Sequence, residues 1–335
     1  MDSFLYHVHQ FVLDSQLIDH NQPIIMAFSG GPDSECLLAY LQKSMTSQIH
    51  CVYCSHQLRD DRAERRRVNQ LLSSQIIDID VENEAKKLGI SIETAGRQLR
   101  YHKLVTVAQS MGINQICTAH HADDHLESLL MQLIRGTKSN FNGIKSKQLI
   151  DESWSQLVSS NTASEMGSIT LIRPLLCVSK NQIVQYLNQS NAPYITDPTN
   201  TDRRYTRNKV RHDLIPILRD INPNVLERFD SFAKYVNQAT DFIREQAQPI
   251  IQSIDIDTHC ASIDTRSVKA LHPVVQSQVL YHLVQSKMKP QQSVSTIQIN
   301  QVIGLLQTRV TKYVDLPGQL RVSVDQQKIR VMDLN

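Results

Sequence analysis

The stretch "IIMAFSGGPDSECLL", Ile24–Leu38, decides how this chain is read. An apolar run ends in Ser-Gly-Gly-Pro-Asp-Ser, and a leucine-rich segment follows. A buried strand that passes through a glycine turn into a helix is a geometry for holding phosphate. Gly30 and Gly31 let the backbone curl without a Cβ clash, so that its N–H groups can face an anion. A helix starting near Ser34 adds its positive dipole end and unpaired donors. Ser29 and Ser34 add hydroxyls, and Pro32 lies inside the turn. Asp33 is the informative residue, because a carboxylate beside phosphates repels them unless a cation intervenes. Mg²⁺ suits that place, being a hard ion that takes carboxylate and phosphate oxygens together. No lysine closes the turn, so it is not the GxxxxGK[ST] loop of common NTPases. A tight turn without a ligand is the competing reading.

The surrounding pattern supports a parallel sheet. Strand-like runs at 23–28, 49–54, 76–81 and 113–118 alternate with helical patterns at 35–44, 62–74, 92–110 and 124–135. Ser91 caps the helix at 92–110, and Gly136 stops the one at 124–135. Residues 151–168 are polar and serine-rich and read as a mobile surface excursion. "ITLIRPLL" (169–176) is strand-like again, and a helix follows near 179–190. After Pro216 a long connecting helix is expected, with Val225, Phe229, Phe232 and Val236 at helical intervals. Helices at about 265–286 and 295–307 precede short strands around Pro317-Gly318. The expected partition is a catalytic domain over 1–217, a linking helix over 218–250 and a small α+β domain over 251–335.

At 335 residues, 41% hydrophobic and 20% charged, the composition is that of a globular protein. No window approaches the ~18 apolar residues of a membrane span. The N-terminus reads as a short amphipathic helix, so a secretory leader is not expected. The six cysteines lie mostly in apolar runs, as reduced thiols of a cytosol-like compartment do. Cys51 and Cys54 form a CxxC, but residues three apart on a strand face opposite ways and cannot share a metal. Net charge is only +2. Local clusters are denser: Arg62, Arg65, Arg66 and Arg67 in one place, and Arg203, Arg204, Arg207, Lys209 and Arg211 in another.

Three further stretches carry chemistry. In "SIETAGRQLRYHKL" (91–104), Arg97, Arg100, Tyr101 and Leu104 form one helical stripe, suited to phosphate and base contacts or to a solvated face. "TAHHADDHLESLLMQLIRG" (118–136) follows a strand, so its polar head lies at the carboxyl edge of the sheet. There Asp123 or Asp124 caps the helix and Glu127 lies one turn on. His121 and His125 are four apart, but the Glu of HExxH and a third ligand are missing, so zinc is not expected. In the run 196–216, Arg204, Arg207, Asn208 and Arg211 share a helix face. Five cations without an acid favour phosphate binding over a merely solvated helix.

The Ser-Gly-Gly turn resembles that of the PP-loop, or N-type ATP pyrophosphatase, superfamily, whose fold is Rossmann-like (adenine nucleotide alpha hydrolase-like). With "SHQLRDDRAERRR" (55–67), "RPLL" (173–176) and "LPGQLRV" (316–322), the four stretches together resemble the bacterial tRNA(Ile)-lysidine synthases over nearly the whole chain, in their shorter form. His125 and Ser128 stand where that family has Gln and Thr, and residues 135–143 are poorer in glycine than usual.

The resemblance implies ATP-dependent attachment of free L-lysine to carbon 2 of the wobble cytidine in the CAU anticodon of isoleucine tRNA. Ser29, Gly30, Gly31, Pro32, Asp33 and Ser34 would bind ATP, with Asp33 on Mg²⁺; neither zinc nor an iron–sulfur cluster is expected. Asp124 and Glu127 would position and deprotonate the lysine amine, with His120 or His121 near the phosphates. Arg207, Asn208 and Arg211 are carried over as RNA contacts; Arg97, Arg100, Tyr101 and Arg204 are placed more loosely. The implied location is a bacterial cytosol or a plastid stroma, without a membrane; a homodimer is left open. A PP-loop tRNA thiolase is the alternative, which would call for reactive cysteines.

Overall fold

The computed structural model describes residues 2–136, 141–150, 169–196, 206–288, 294–307 and 311–334. The serine-rich stretch 151–168 and Arg203 and Arg204 lie outside them.

Six strands form the first sheet: β1 (Ile24–Ala27), β2 (Ile49–Ser55), β3 (Ser74–Asp78), β4 (Gln115–Cys117), β5 (Lys147–Ile150) and β6 (Ile169–Ile172). Their order is β3-β2-β1-β4-β6-β5, parallel throughout except for β5, which pairs antiparallel with β6. α1 (Ser3–Asp14) precedes them, α2 (Pro32–Ser44), α3 (Arg62–Val68), α4 (Val81–Leu88), α5 (Ile92–Ser110) and α6 (Ala122–Ile134) lie between them in sequence, and α7 (Lys180–Gln189) follows.

Both faces of the sheet are buried, which is why β1 reads as an unbroken apolar run. Ile24 and Met26 enter a core with Leu5, Leu37, Tyr40, Leu41 and Ile183, whereas Ile25 enters another with Val52, Tyr101, Leu104 and Ile116. Cys51 belongs to the first core and Cys54 to the second, as the period of a strand requires. Strand order reverses at β1, between β2 and β4, so a crevice opens beyond the carboxyl ends of these strands.

Beyond the sheet lie α8 (Thr206–Lys209), a π-helical turn at Val210–Leu214, α9 (Ile215–Ile221) and α10 (Val225–Gln252). One compact unit ends at Ala233 and a second begins at Lys234, inside α10. The second unit adds β7 (Asp255–Ile256), β8 (Cys260–Asp264), α11 (Thr265–Lys269), α12 (Pro273–Gln285), α13 (Thr296–Leu306), β9 (Lys312–Leu316), β10 (Leu320–Val324) and β11 (Lys328–Asp333). Its antiparallel sheet, ordered β7-β8-β11-β10-β9, turns Ile263, Val322, Ile329 and Val331 toward Val279, Leu283 and Val302 in one core. The helix expected over 265–286 is two helices, because Pro273 opens α12 and cannot continue α11. Among the described residues no helix is long and apolar enough to cross a membrane.

Candidate active site

The Ser-Gly-Gly turn joins β1 to α2 at the crevice. Gly30 holds φ +74°, the left-handed region, and a Cβ there would stand 3.1 Å from Ile195 Cδ1. Gly31 is extended instead (φ −76°, ψ 166°) and caps α2, which begins at Pro32, two residues before the expected start. The two hydroxyls close the turn on itself. Ser34 Oγ donates to Gly31 O at 2.9 Å and lies 3.2 Å from Ser29 Oγ. These contacts brace the turn from within, with the first N–H groups of α2 at the pocket.

Asp33, on the first turn of α2, accepts a hydrogen bond from Lys180 Nζ at 2.6 Å. The sequence reading found no lysine closing the loop; one arrives from 147 positions away, at the start of α7. Ser179 caps that helix in a capping box with Gln182, and Lys180 N donates to Asp123 Oδ2 at 2.9 Å. Asp123, also paired with Arg219, therefore ties helices together. A sequence signal for Lys180 existed: a cap, Ser179, followed by a lysine eight residues beyond β6.

A cavity of about 730 Å³ extends from this loop. Its lining includes Phe28, Ser29, Asp33, Ser34, His56, Arg100, Tyr101, His120 and Asp124, in the size range of small-ligand sites. His121, rather than Asp123 or Asp124, caps α6: its Nδ1 accepts from Asp123 N at 3.2 Å, and Asp124 Oδ2 accepts from His121 N at 3.1 Å. That tautomer leaves the His121 proton on Nε2, 3.4 Å from Asp124 Oδ2 and 3.9 Å from Asp33 Oδ1. One imidazole thus stands between the two carboxylates.

Glu127, fully buried one turn along α6, accepts from the Nε of both Arg207 and Arg211; Arg211 also reaches Asp124, and Arg207 reaches Glu93 at 2.8 Å. The residues expected to hold lysine and those expected to hold RNA are ion-paired. Arg211 lies within the π-helical turn and Arg207 just before it in α8; such distortions are frequent at functional sites.

Residues 2–218 match the PP-loop domain family. The chain belongs to that family. It is 28% identical over 96% of its length to the Listeria monocytogenes "Bifunctional protein TilS/HprT", of which it covers 49%. It is 32% identical over 69% of its length to a Bacteroides thetaiotaomicron tRNA(Ile)-lysidine synthase, of which it covers 51%. The chain thus spans about half the length of these curated relatives. The U34-tRNA thiolase NcsA of Methanococcus maripaludis, solved with its [4Fe-4S] cluster, shares the fold at TM-score 0.52 and 13% identity, over 70% of this chain and 79% of that one.

The other basic residues of this PP-loop chain are placed unequally. Arg97 stacks over the Tyr101 ring at 5.0 Å, and Tyr101 and Leu104 are buried. The stripe is thus half core and half pocket wall. The cluster at 62–67 is largely neutralised: Arg62 pairs with Asp60, Arg65 with Asp61 and Asp78, and Arg67 with Glu35. Buried Arg173, noted in the sequence only within "RPLL", donates to Lys145 O at 2.5 Å. His125 bridges Asp230, at 2.7 Å, and the backbone of Ile144. Asn208 lies in α8 between the two arginines.

Titration follows from burial. Desolvation, aided by Arg173, Arg97 and Arg100 against the pull of Asp124, pushes His120 down to about 3. Desolvation, with Arg100 and Arg59, pushes His56 down to about 4. Burial tends to raise Asp124, but His121, Arg211 and His120 outweigh it and hold the carboxyl below its usual range. Both imidazoles are therefore neutral at pH 7. Because their folded pKa values lie below the unfolded ~6.5, the unfolded chain binds more protons below that pH. Their contribution is complete above about pH 6.5 and is lost as pH falls toward 4 and 3. Lowering pH from 7 to 4.5 is expected to lower stability, and His120→Asn to flatten that slope. Urea midpoints at the two pH values check this; parallel slopes for wild type and variant would refute it.

Proposed function

We propose that this chain is a tRNA(Ile)-lysidine synthase, joining free L-lysine to carbon 2 of the wobble cytidine in the CAU anticodon of isoleucine tRNA at the expense of ATP. One observation carries the reading. A single pocket joins an anion loop with its own carboxylate to a neutral histidine and a second carboxylate, and Asp124 is shared with a cationic helix. The names of the relatives supply the substrate.

In this reading the cytosine O2 attacks the α-phosphorus of ATP and pyrophosphate leaves toward residues 29–34. The N–H groups of the loop and the start of α2 stabilise that charge. The lysine ε-amine, charged at its ordinary pKa of ~10.4, gives up a proton before it attacks carbon 2 and AMP departs with the former carbonyl oxygen. Asp124 and Glu127 hold the ammonium. Neutral His120, whose Nδ1 lies 2.9 Å from Thr118 Oγ1, stands near the phosphates, and the two carboxylates take the proton. Arg207, Asn208, Arg211 and Arg204 hold RNA phosphates, and Arg97, Arg100 and Tyr101 border the flipped base.

Among the described residues no group of three or more His, Cys, Asp or Glu side chains is arranged to hold a metal by itself. The donor chemistry at Asp33 suits Mg²⁺ nonetheless, since that ion uses one or two carboxylates together with substrate phosphates. Asp33 would hold it, and when bound it neutralises charge on the phosphates. In domain terms, residues 1–217 catalyse, 218–250 link and 251–335 grip the tRNA.

Sulfur transfer is the lesser reading. Cys54 lines the pocket, but burial pushes its thiol up to about 11, and Cys51 belongs to the opposite core. One assay separates them: protein, ATP, labelled lysine and CAU-anticodon isoleucine tRNA. Lysine-dependent AMP release with label entering the tRNA is expected; no incorporation, or dependence on a sulfur donor, overturns the proposal.

A further inference from the structure

We infer that His56 is a positioning residue that aims the undiminished charge of Arg100 at the anion in the pocket, and that Gly96 exists to seat it. The inference rests on the phosphate reading of the loop and goes beyond it, since neither His56 nor Gly96 has a role in that reading.

His56 follows the last residue of β2. The next residue, Gln57, is in the left-handed region at φ +55° although it is not glycine. Ser55 Oγ donates to Asp61 Oδ2 at 2.5 Å and fastens the far side of that turn. The turn lays the imidazole on α5 where there is no side chain: a Cβ at Gly96 would stand 2.9 Å from His56 Cε1 and 3.0 Å from Nδ1. Gly96 is buried in the second turn of α5, where glycine costs up to about 1 kcal/mol relative to alanine. Something must offset that cost, and the ring packed against it is what the structure shows.

One turn along α5, Arg100 Nη2 lies 3.2 Å from His56 Nε2. A guanidinium only donates, so Nε2 accepts and the ring proton is on Nδ1. Both side chains line the cavity that contains Ser29, Asp33 and Ser34. A carboxylate in place of the imidazole would cancel Arg100's charge, and an aliphatic group would leave the guanidinium without direction. A neutral acceptor does neither. Arg59, which also bears on His56, is committed to Glu64 at 2.6 Å, so it supports the neutral ring without competing for Nε2.

The test is the affinity for Mg-ATP, measured by calorimetry on the full chain without tRNA. His56→Leu and Gly96→Ala are each expected to weaken binding about tenfold, and His56→Gln, which keeps a neutral acceptor, by no more than about threefold. His56→Glu is expected to weaken it as much as Arg100→Gln does. A purely structural role would not rank Gln above Glu, since the two fill the same volume. Equal affinities for wild type and His56→Leu overturn the inference; if that variant does not fold, equal affinities for the Gln and Glu variants do. A wild-type protein that binds ATP and leaves the tRNA unmodified would end the lysidine reading while leaving this one standing.

Discussion

Asparagine at position 33 is expected to lower ATP-dependent turnover by about 10²–10³-fold while the protein melts within a few degrees of wild type. The separation of effects follows from where Asp33 lies. It is 30% exposed on the first turn of α2, outside both apolar cores, and its hydrogen-bond partner is the half-exposed Lys180. An ion pair so open to water contributes ~1 kcal/mol or less to stability. Its role toward a nucleotide is another matter, because an amide keeps the shape and loses the charge that a phosphate-bound cation needs. Lys180→Met serves as the companion. In the free protein its ammonium compensates Asp33, so the single variants and the double variant form a cycle. If Lys180 only neutralises Asp33, its loss is nearly silent in the Asp33→Asn background; if it also serves the phosphates, its loss adds to that of Asp33. Steady-state turnover with ATP and tRNA, alongside thermal melts, provides both readings. Wild-type turnover by Asp33→Asn would remove the loop from the chemistry.

The fold was legible where local pattern and burial agree. β1, β2 and α5 come out at or within a residue of expectation because unbroken apolar runs mark doubly buried strands and Ser91 accepts from Thr94 N as a cap should. α4 was missed because only Val81 and Ala85 of its eight residues are buried, although Asp80 caps it and Gly89 ends it at φ +65°. The edge strand β5 depends on pairing with β6 across the chain, which no local pattern announces.

The site was legible in its residue types and much less in its pairings. The loop, Asp124, Glu127 and the arginines at 207 and 211 were singled out from charge, spacing and the family resemblance. Their contacts were not, because Asp33 meets Lys180 from 147 positions away and Glu127 meets Arg207 from 80. The neutralisation of the basic run at 62–67 was hidden for the same reason, since two of the acids that pair with it, Glu35 and Asp78, lie outside the run. Sequence shows which charges exist; only the fold shows which of them remain uncommitted.

Glutamine at position 127 is the second large effect, and it divides two roles that the geometry superimposes. If Glu127 receives the ammonium of lysine, Glu127→Gln is expected to raise the KM for lysine about 100-fold, with the KM for ATP and for tRNA within about threefold. If it serves instead to restrain Arg207 and Arg211, the freed guanidinium groups change tRNA affinity and its salt dependence, and lysine use follows only indirectly. The buried carboxylate makes some loss of stability certain in either case. Breaking a buried pair costs about 3–5 kcal/mol, and less here because both arginines are more than a third exposed and can turn to water. Arg207→Gln and Arg211→Gln complete the comparison. Under the lysine reading they leave Glu127 in place and weaken tRNA binding; under the anchoring reading all three variants share one phenotype. Separate titrations of lysine and tRNA at two salt concentrations decide, and a lysine KM unmoved by Glu127→Gln would reject the lysine assignment.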